Sequence, residues 1–284
     1  MSKRTCFGAT LVSTTLVLTA FTAHAGNSTQ QPILTRFAQT QSESSFELSA
    51  TRFTDVELDE ADHFDGWTAK TELTIPFEDA KQIRLSIPFY TDGDARLTKP
   101  GSSFTGKTID IDGNGGVFDY ATLQYEHQVR FADQSNYNLA YTLGGGFRTK
   151  ELDTTTGDKF NHTGRMLLLG AKADSYINGG DSQLLINAGI RYYHDADDLN
   201  PENKDSWTWA DIKTAVIFSK WGERTQPVIE ASYLGDFNDY NELALVPELV
   251  FLLDKSVSLK LGAIIGVTDD GNDAGAVGSL SINF

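Results

Sequence analysis

Apolar and polar residues alternate with a period of two along most of this chain, and few folds accept that pattern over such a length. The clearest stretch runs Trp67, Ala69, Thr71, Leu73, Ile75, Phe77 against Thr68, Lys70, Glu72, Thr74, Pro76, Glu78. Ile83–Phe89, Leu123–Phe131, Tyr137–Phe147, Leu243–Phe251 and Val257–Val267 read the same way. About twelve such segments lie between Phe46 and Phe284, with parity weakest over 163–177 and 227–234. Each predicts a strand with one apolar and one polar face. No part of the chain after residue 25 holds the roughly 18 apolar residues of a membrane helix. A wall of this kind crosses lipid only as a closed barrel, which leaves no backbone group unpaired.

The end of the chain sharpens this reading. Phe284, Ile282, Leu280, Gly278 and Ala276 share a face, with Asn283, Ser281 and Ser279 between them. The pattern resembles the closing strand of Gram-negative outer-membrane β-barrels. That resemblance implies insertion from the periplasm by barrel-assembly machinery that reads a terminal aromatic, here Phe284. At the other end, Lys3 and Arg4 precede an apolar, Thr-rich run and then Ala23-His24-Ala25, the layout of a secretory signal peptide cut after residue 25. The expected organisation is therefore signal peptide 1–25, a mobile periplasmic lead-in over 26–42, and the barrel over 43–284.

Of the chain's 284 residues, 259 remain after residue 25 (284 less 25), and the charge shifts from −16 to −18 (21 basic residues against 39 acidic). A strongly acidic exported chain is a poor partner for nucleic acid, because phosphates repel it. The lone cysteine, Cys6, falls in the signal segment, which leaves no disulfide or thiolate chemistry afterwards.

Connection lengths predict the architecture. Short ones fall at 78–82, 132–136, 178–182, 221–226 and 253–256. Longer polar ones fall at 55–66, 91–116, 150–162, 194–206, 235–242 and 268–275. Alternation of this kind predicts an all-β, single transmembrane, antiparallel up-and-down barrel with short periplasmic turns and longer acidic external loops. Aromatics agree: Phe46, Phe77, Phe131, Tyr137, Phe218, Phe251 and Phe284 fall at the predicted periplasmic ends, and Trp67, Phe89, Phe147 and Tyr192 at the external ends. Tyr125 and Tyr141 read as nearer mid-strand and fit neither belt.

With the apolar face outward, the lumen collects Glu47, Lys70, Glu72, Arg84, Glu126, Arg130, Arg148, Arg191, Asp211, Lys213, Glu230, Glu248 and Lys260. Both signs are needed, since charges in a narrow, partly dehydrated channel require partners. Lys70, Glu72 and Arg84 are placed to meet across one ladder. Such a lining suits passive passage of small polar solutes, and argues against a strongly anion-selective acid-sugar channel. A twelve-strand cylinder lies between barrels filled by side chains and open porins. Trp207 and Trp209, on the inner face near the external mouth, read as a stacking platform for a sugar or aromatic ring, or else as part of the external belt.

The loops offer two cation signals. Asp110, Asp112 and Asn114 with Gly115 match the opening half of a calcium loop, although Ala121 stands where its closing Glu belongs. The second, 269–273, is shorter. No cofactor is required, and Ca2+ or Mg2+ at the external loops is the expected form of any metal. The acidic run from Asp55 to Asp65, with Arg52 beside it, suits divalent bridging to lipopolysaccharide in a cell outer membrane. Enzymatic readings are weaker. His127 is the one outward strand histidine and has Val129 two positions on where a serine would be needed, and His194 with Asp195, Asp197 and Asp198, and with Asp236 and Asp239 on another loop, forms a rim cluster that a solvated Asp-rich loop explains better. The expectation is a channel and not an enzyme. A non-conducting surface barrel for adhesion or envelope stability is the first alternative, and a rim hydrolase acting on lipid or peptide is the second.

Overall fold

The computed structural model of the chain describes residues 31–58, 61–96, 108–112, 119–153, 159–177, 182–194 and 206–284. The strands are β1 (Ser45–Leu58), β2 (Ala61–Phe77), β3 (Lys81–Arg96), β4 (Thr108–Asp112), β5 (Ala121–Arg130), β6 (Asn138–Asp153) and β7 (Lys159–Ile177). They continue as β8 (Ser182–His194), β9 (Ser206–Ile217), β10 (Thr225–Gly235), β11 (Asn241–Leu252), β12 (Val257–Gly266) and β13 (Gly271–Asn283), with one short helix, α1 (Ala132–Ser135). Apart from β4, which is bypassed by the pairing of β3 with β5, neighbours in sequence pair antiparallel, and β1 pairs with β13 from Ser45↔Asn283 to Glu57↔Gly271. That last pairing closes the sheet. β4 pairs only with the far end of β3, so twelve of the thirteen strands form the wall.

Closure puts every alternate side chain in one of two solvents. Leu167 and Leu169 on β7 are 63% and 54% exposed, and Leu123, Leu143, Ile190, Ile229, Leu245 and Leu261 share their outward direction. Such a band is costly in water and is favoured in lipid. Inward positions are polar and buried, among them Gln82, Arg84, Glu126, Lys172, Glu230, Glu248 and Lys260. No helix among the described residues is long and apolar enough to cross a membrane. The weak-parity segments resolve: on β7 the lysine and aspartate Lys172 and Asp174 face inward, and on β10 Ile229 faces out between Val228 and Glu230.

Rings cluster on the outer face at the short-turn end. His127 Nδ1 lies 2.8 Å from the Tyr141 hydroxyl, and Tyr125 packs 6.1 Å from both Phe77 and Tyr141. Tyr141 stands opposite His127 in register, and Lys81 at the start of β3 is His127's other neighbour. The two tyrosines thus pack onto the belt at this end, Tyr125 from the middle of β5. Phe284 is exposed, and its N–H donates to Ser44 O at 2.9 Å across the seam.

Three expectations are corrected. The connections expected over 55–66, 91–116 and 150–162 hold strand at their described residues: β1 runs to Leu58, β3 runs to Arg96 and pairs with β4, and β6 and β7 pair out to Asp153↔Lys159. Ladder bonds persist there because nothing in the alternation demands that they stop where the lipid-facing apolar row ends. At the first hairpin, Phe64 folds back and is buried against Phe53 (6.3 Å), over Gly66, where any Cβ would strike the Phe64 ring. Arg130, assigned to the lumen, is exposed and lies over Tyr137, because a bulge between Gln128 and Arg130 reverses the parity. Most consequential, the lead-in expected outside the barrel is, over residues 31–41, packed within it.

The lipid-facing assignment predicts a depth-dependent penalty. Leu169→Arg, in the middle of β7, should cost about 2–4 kcal/mol in reversible urea unfolding from lipid vesicles.

Candidate functional site: a luminal segment beneath an aromatic vestibule

An extended segment that enters a closed barrel brings backbone donors that water no longer satisfies. Here the wall supplies acceptors from its side chains. Ile33 N–H donates to Glu248 at 3.1 Å, and those of Leu34 and Thr35 donate to the two oxygens of Glu230 at 2.8 and 2.6 Å. Arg36 exchanges both backbone bonds with Asn187, at 2.7 and 2.8 Å. Ala38 and Gln39 donate to Asp174, Thr40 to Gln128 and Gln41 to Gln82. Eight amides are taken by six side chains. These stand in order on β11, β10, β8, β7, β5 and β3, so the segment sweeps around the inside of the wall before turning into β1.

Side chains fix the arc at both faces. Phe37 is buried among Leu185, Ala215, Ile217, Val228 and Val250, and Ile33 packs on Val246 and Val277. Arg36 does something different. Its backbone sits at β8, yet its guanidinium reaches Glu72 on β2 at 3.2 Å and Glu47 on β1 at 3.5 Å. The side chain thus crosses the lumen. Its Nη1 also donates to its own chain, at Pro32 O (2.6 Å) and Ile33 O (2.8 Å).

Arg36 completes an alternating series of charges around the inner wall. Lys260 meets Glu47 at 2.7 Å, Glu47 meets Arg36, Arg36 meets Glu72, Glu72 meets Arg84 at 3.2 Å, and Arg84 meets Glu126 at 3.0 Å. Glu126 also holds Lys172 and accepts from Gln82. Arg84 Nε faces Glu72 without hydrogen-bond alignment, so charge carries that contact. Desolvated ions are tolerable only when compensated in this way.

Above the arc the lumen is open. A cavity of about 440 Å³ has Ile33, Leu34 and Arg36 as its floor and rises toward the long-loop end. Arg191 and Lys213 share Asp211 at 2.5 and 3.1 Å. Over them stands an aromatic wall: Tyr193 stacks on Trp207 (5.3 Å), Trp209 stacks on Tyr240 (4.6 Å), and Tyr193 meets Trp209 edge-on (5.2 Å). Tyr120 joins Tyr193 at 5.6 Å and carries Arg148 over its ring at 4.8 Å. Tyr240 is positioned by its turn, where Asp236 Oδ1 accepts the N–H groups of Asn238, Asp239 and Tyr240. Slight burial works against the charged form of Asp236, and these donors outweigh it, holding the carboxyl below its usual range.

The luminal residues named from the sequence divide into two groups. Lys70, Glu72, Arg84, Arg148, Arg191, Asp211, Lys213, Trp207 and Trp209 line the cavity. Glu126, Glu230, Glu248 and Lys260 are buried with the arc instead. Glu72 and Arg84 meet as expected, whereas Lys70 makes no ion pair among the described residues and is exposed to the lumen. Sequence reasoning missed Arg36, Phe37, Asn187, Asp174 and the tyrosines. One signal was present: Leu185, Ile217, Val228, Val246 and Val250 are apolar residues at inner-face positions, where only a second apolar surface suits them. The calcium-like trio of Asp110, Asp112 and Asn114 lies outside the residues whose side chains are described, as do Asp195, Asp197 and Asp198. No group of three or more metal-ligating side chains occurs among the described residues. His194 is exposed at the rim and has no carboxylate partner among them.

The arc predicts slow amide exchange over residues 33–41. Phe37→Ala should weaken its docking by about 3–5 kcal/mol. Arg36→Ala, which leaves Glu47 with Lys260 alone and Glu72 with Arg84, should cost less, about 1.5–3 kcal/mol. Deuterium uptake confined to this segment is the readout.

No protein-family model matches the chain, and no curated protein matches it by sequence. Solved structures do. The translocator domain of the autotransporter NalP from Neisseria meningitidis matches with a TM-score of 0.57 at 10% identity, over 86% of this chain and 89% of that one. The beta domain of the Bordetella autotransporter BrkA matches with a TM-score of 0.50 at 10% identity, over 85% and 100%. At such identities the likeness is one of fold. By fold, the chain is a closed twelve-stranded antiparallel β-barrel of the outer-membrane type.

Proposed function

We propose that the barrel admits small polar solutes from the long-loop side, and that residues 31–41 gate their onward passage. One observation carries this reading: the floor of an otherwise open cavity is made by a chain segment and not by the wall. A wall-filled barrel would close its lumen with strand side chains. This one closes it with a tethered arc and a single crossing arginine, a part that can leave while every ladder bond stays intact. The long-loop end then faces the outside and the short turns face the periplasm, as in other transmembrane barrels.

The opposing reading is a permanently closed barrel that acts through its surface. Its support is the number of bonds that hold the arc.

Conductance across a planar bilayer separates the two. Refolded protein over 26–284 should show rare, small current steps, and the doubly substituted Arg36→Ala, Phe37→Ala protein should open far more often. Folding of each is checked by altered gel mobility of the unboiled sample. If both are folded barrels and neither conducts, gated passage is wrong.

A further inference from the structure

The cavity surface carries a charge surplus opposite to that of the chain. Seven basic and four acidic side chains line it, in a protein of net charge −16. Most of the basic groups have carboxylates: Glu72 serves Arg36 and Arg84, and Asp211 serves Arg191 and Lys213. Lys70 does not. Its side chain is exposed to the lumen, and it forms no ion pair among the described residues.

Lys70 stands on β2, six strands from β9 in a wall of twelve, and so directly across the lumen from Lys213. Both line the same cavity. Two ammonium groups facing each other in a confined space repel unless an anion lies between them. On the same inner face of β9, two positions beyond Asp211, Trp209 forms an aromatic wall with Tyr193 and Tyr240. Aromatic surface beside a few convergent polar groups is the usual make-up of a small-ligand site. A flat ring gains from stacking there, and a cation–π or apolar contact alone would not need the unpaired ammonium.

We propose that the vestibule binds a small ring-bearing carboxylate, its ring against Tyr193, Trp209 and Tyr240 and its acid group between Lys70 and Lys213. This assignment rests on the vestibule being open to solutes, as the gated-passage reading requires. Arg36, at the cavity floor, is the next cation such a ligand would meet. An acid in the vestibule therefore competes with Glu72 for the group that crosses the lumen.

The test is equilibrium binding, which needs no current. Four tryptophans are present, and replacing Trp67 and Trp221 with Phe leaves emission from Trp207 and Trp209. Benzoate, glucuronate, benzyl alcohol and benzylamine are titrated into this refolded protein. Benzoate or glucuronate should change the emission saturably, and the two separate aromatic acids from sugar acids. Benzyl alcohol and benzylamine should bind at least about tenfold more weakly, as loss of one charge-assisted contact implies. Lys70→Gln should abolish that preference, and Lys70→Glu should invert it toward benzylamine. Lys70 is exposed and makes no ion pair among the described residues, so neither change removes such a contact from the wall. Equal binding of acid and amine, or a preference untouched by Lys70→Gln, would overturn the assignment. Acid binding to a barrel that never conducts counts against gated passage alone. Conductance without acid binding counts against the ligand class alone.

Discussion

Everything inside this barrel follows from the need to find acceptors for the amides of an extended segment enclosed by a wall. A strand in the sheet gives its donors to the next strand. The segment over 33–41 has no such neighbour, because every wall strand is already paired on both sides. Inner-face carboxylates and amides take the place of a ladder, and Asn187 imitates a strand most closely by both accepting from and donating to Arg36. This explains why Asp174, Glu230 and Glu248 can sit in the lumen without cationic side chains on each of them: backbone dipoles supply the positive ends of their hydrogen bonds.

The same requirement divides the lumen by depth. Toward the short turns, charge is spent on structure, in the alternating series from Lys260 to Lys172 and in the acceptors beneath the arc. Toward the long loops, the cavity keeps a cationic surplus and a row of rings, and one ammonium has no ion-pair partner among the described residues. A lumen whose two signs nearly cancel overall is thus uneven along its axis, and the unevenness is where chemistry with a solute becomes available. At 10% identity to the autotransporter domains the wall's architecture persists, so it depends on a pattern of alternation and not on particular residues.

The wall was legible because its signal is repeated. Period-two alternation around Trp67–Phe77 or Leu243–Phe251 states which face meets lipid, and each strand confirms the last. The inner faces followed by parity, down to the meeting of Glu72 with Arg84. Parity failed where a bulge intervened, at Arg130. The arc was not legible. Gln31 to Gln41 has no period, because its partners are scattered over six strands and no local rule relates Phe37 to Val250 or Arg36 to Glu72. Its trace lay elsewhere, in valines and leucines facing a lumen that otherwise calls for polar groups.

The arc touches β11, β10, β8, β7, β5 and β3 in turn, and its far end is covalently continuous with β1. A chain laid along the inside of a ring has a length set by the girth of that ring. Nine residues, from Ile33 to Gln41, span the acceptors from Glu248 to Gln82. A wall with one strand more would leave the last donors short of their acceptors, and a narrower one would crowd them. The segment is in effect a gauge of circumference: all eight amides are satisfied together only by a cylinder of this size, rolled up and shut.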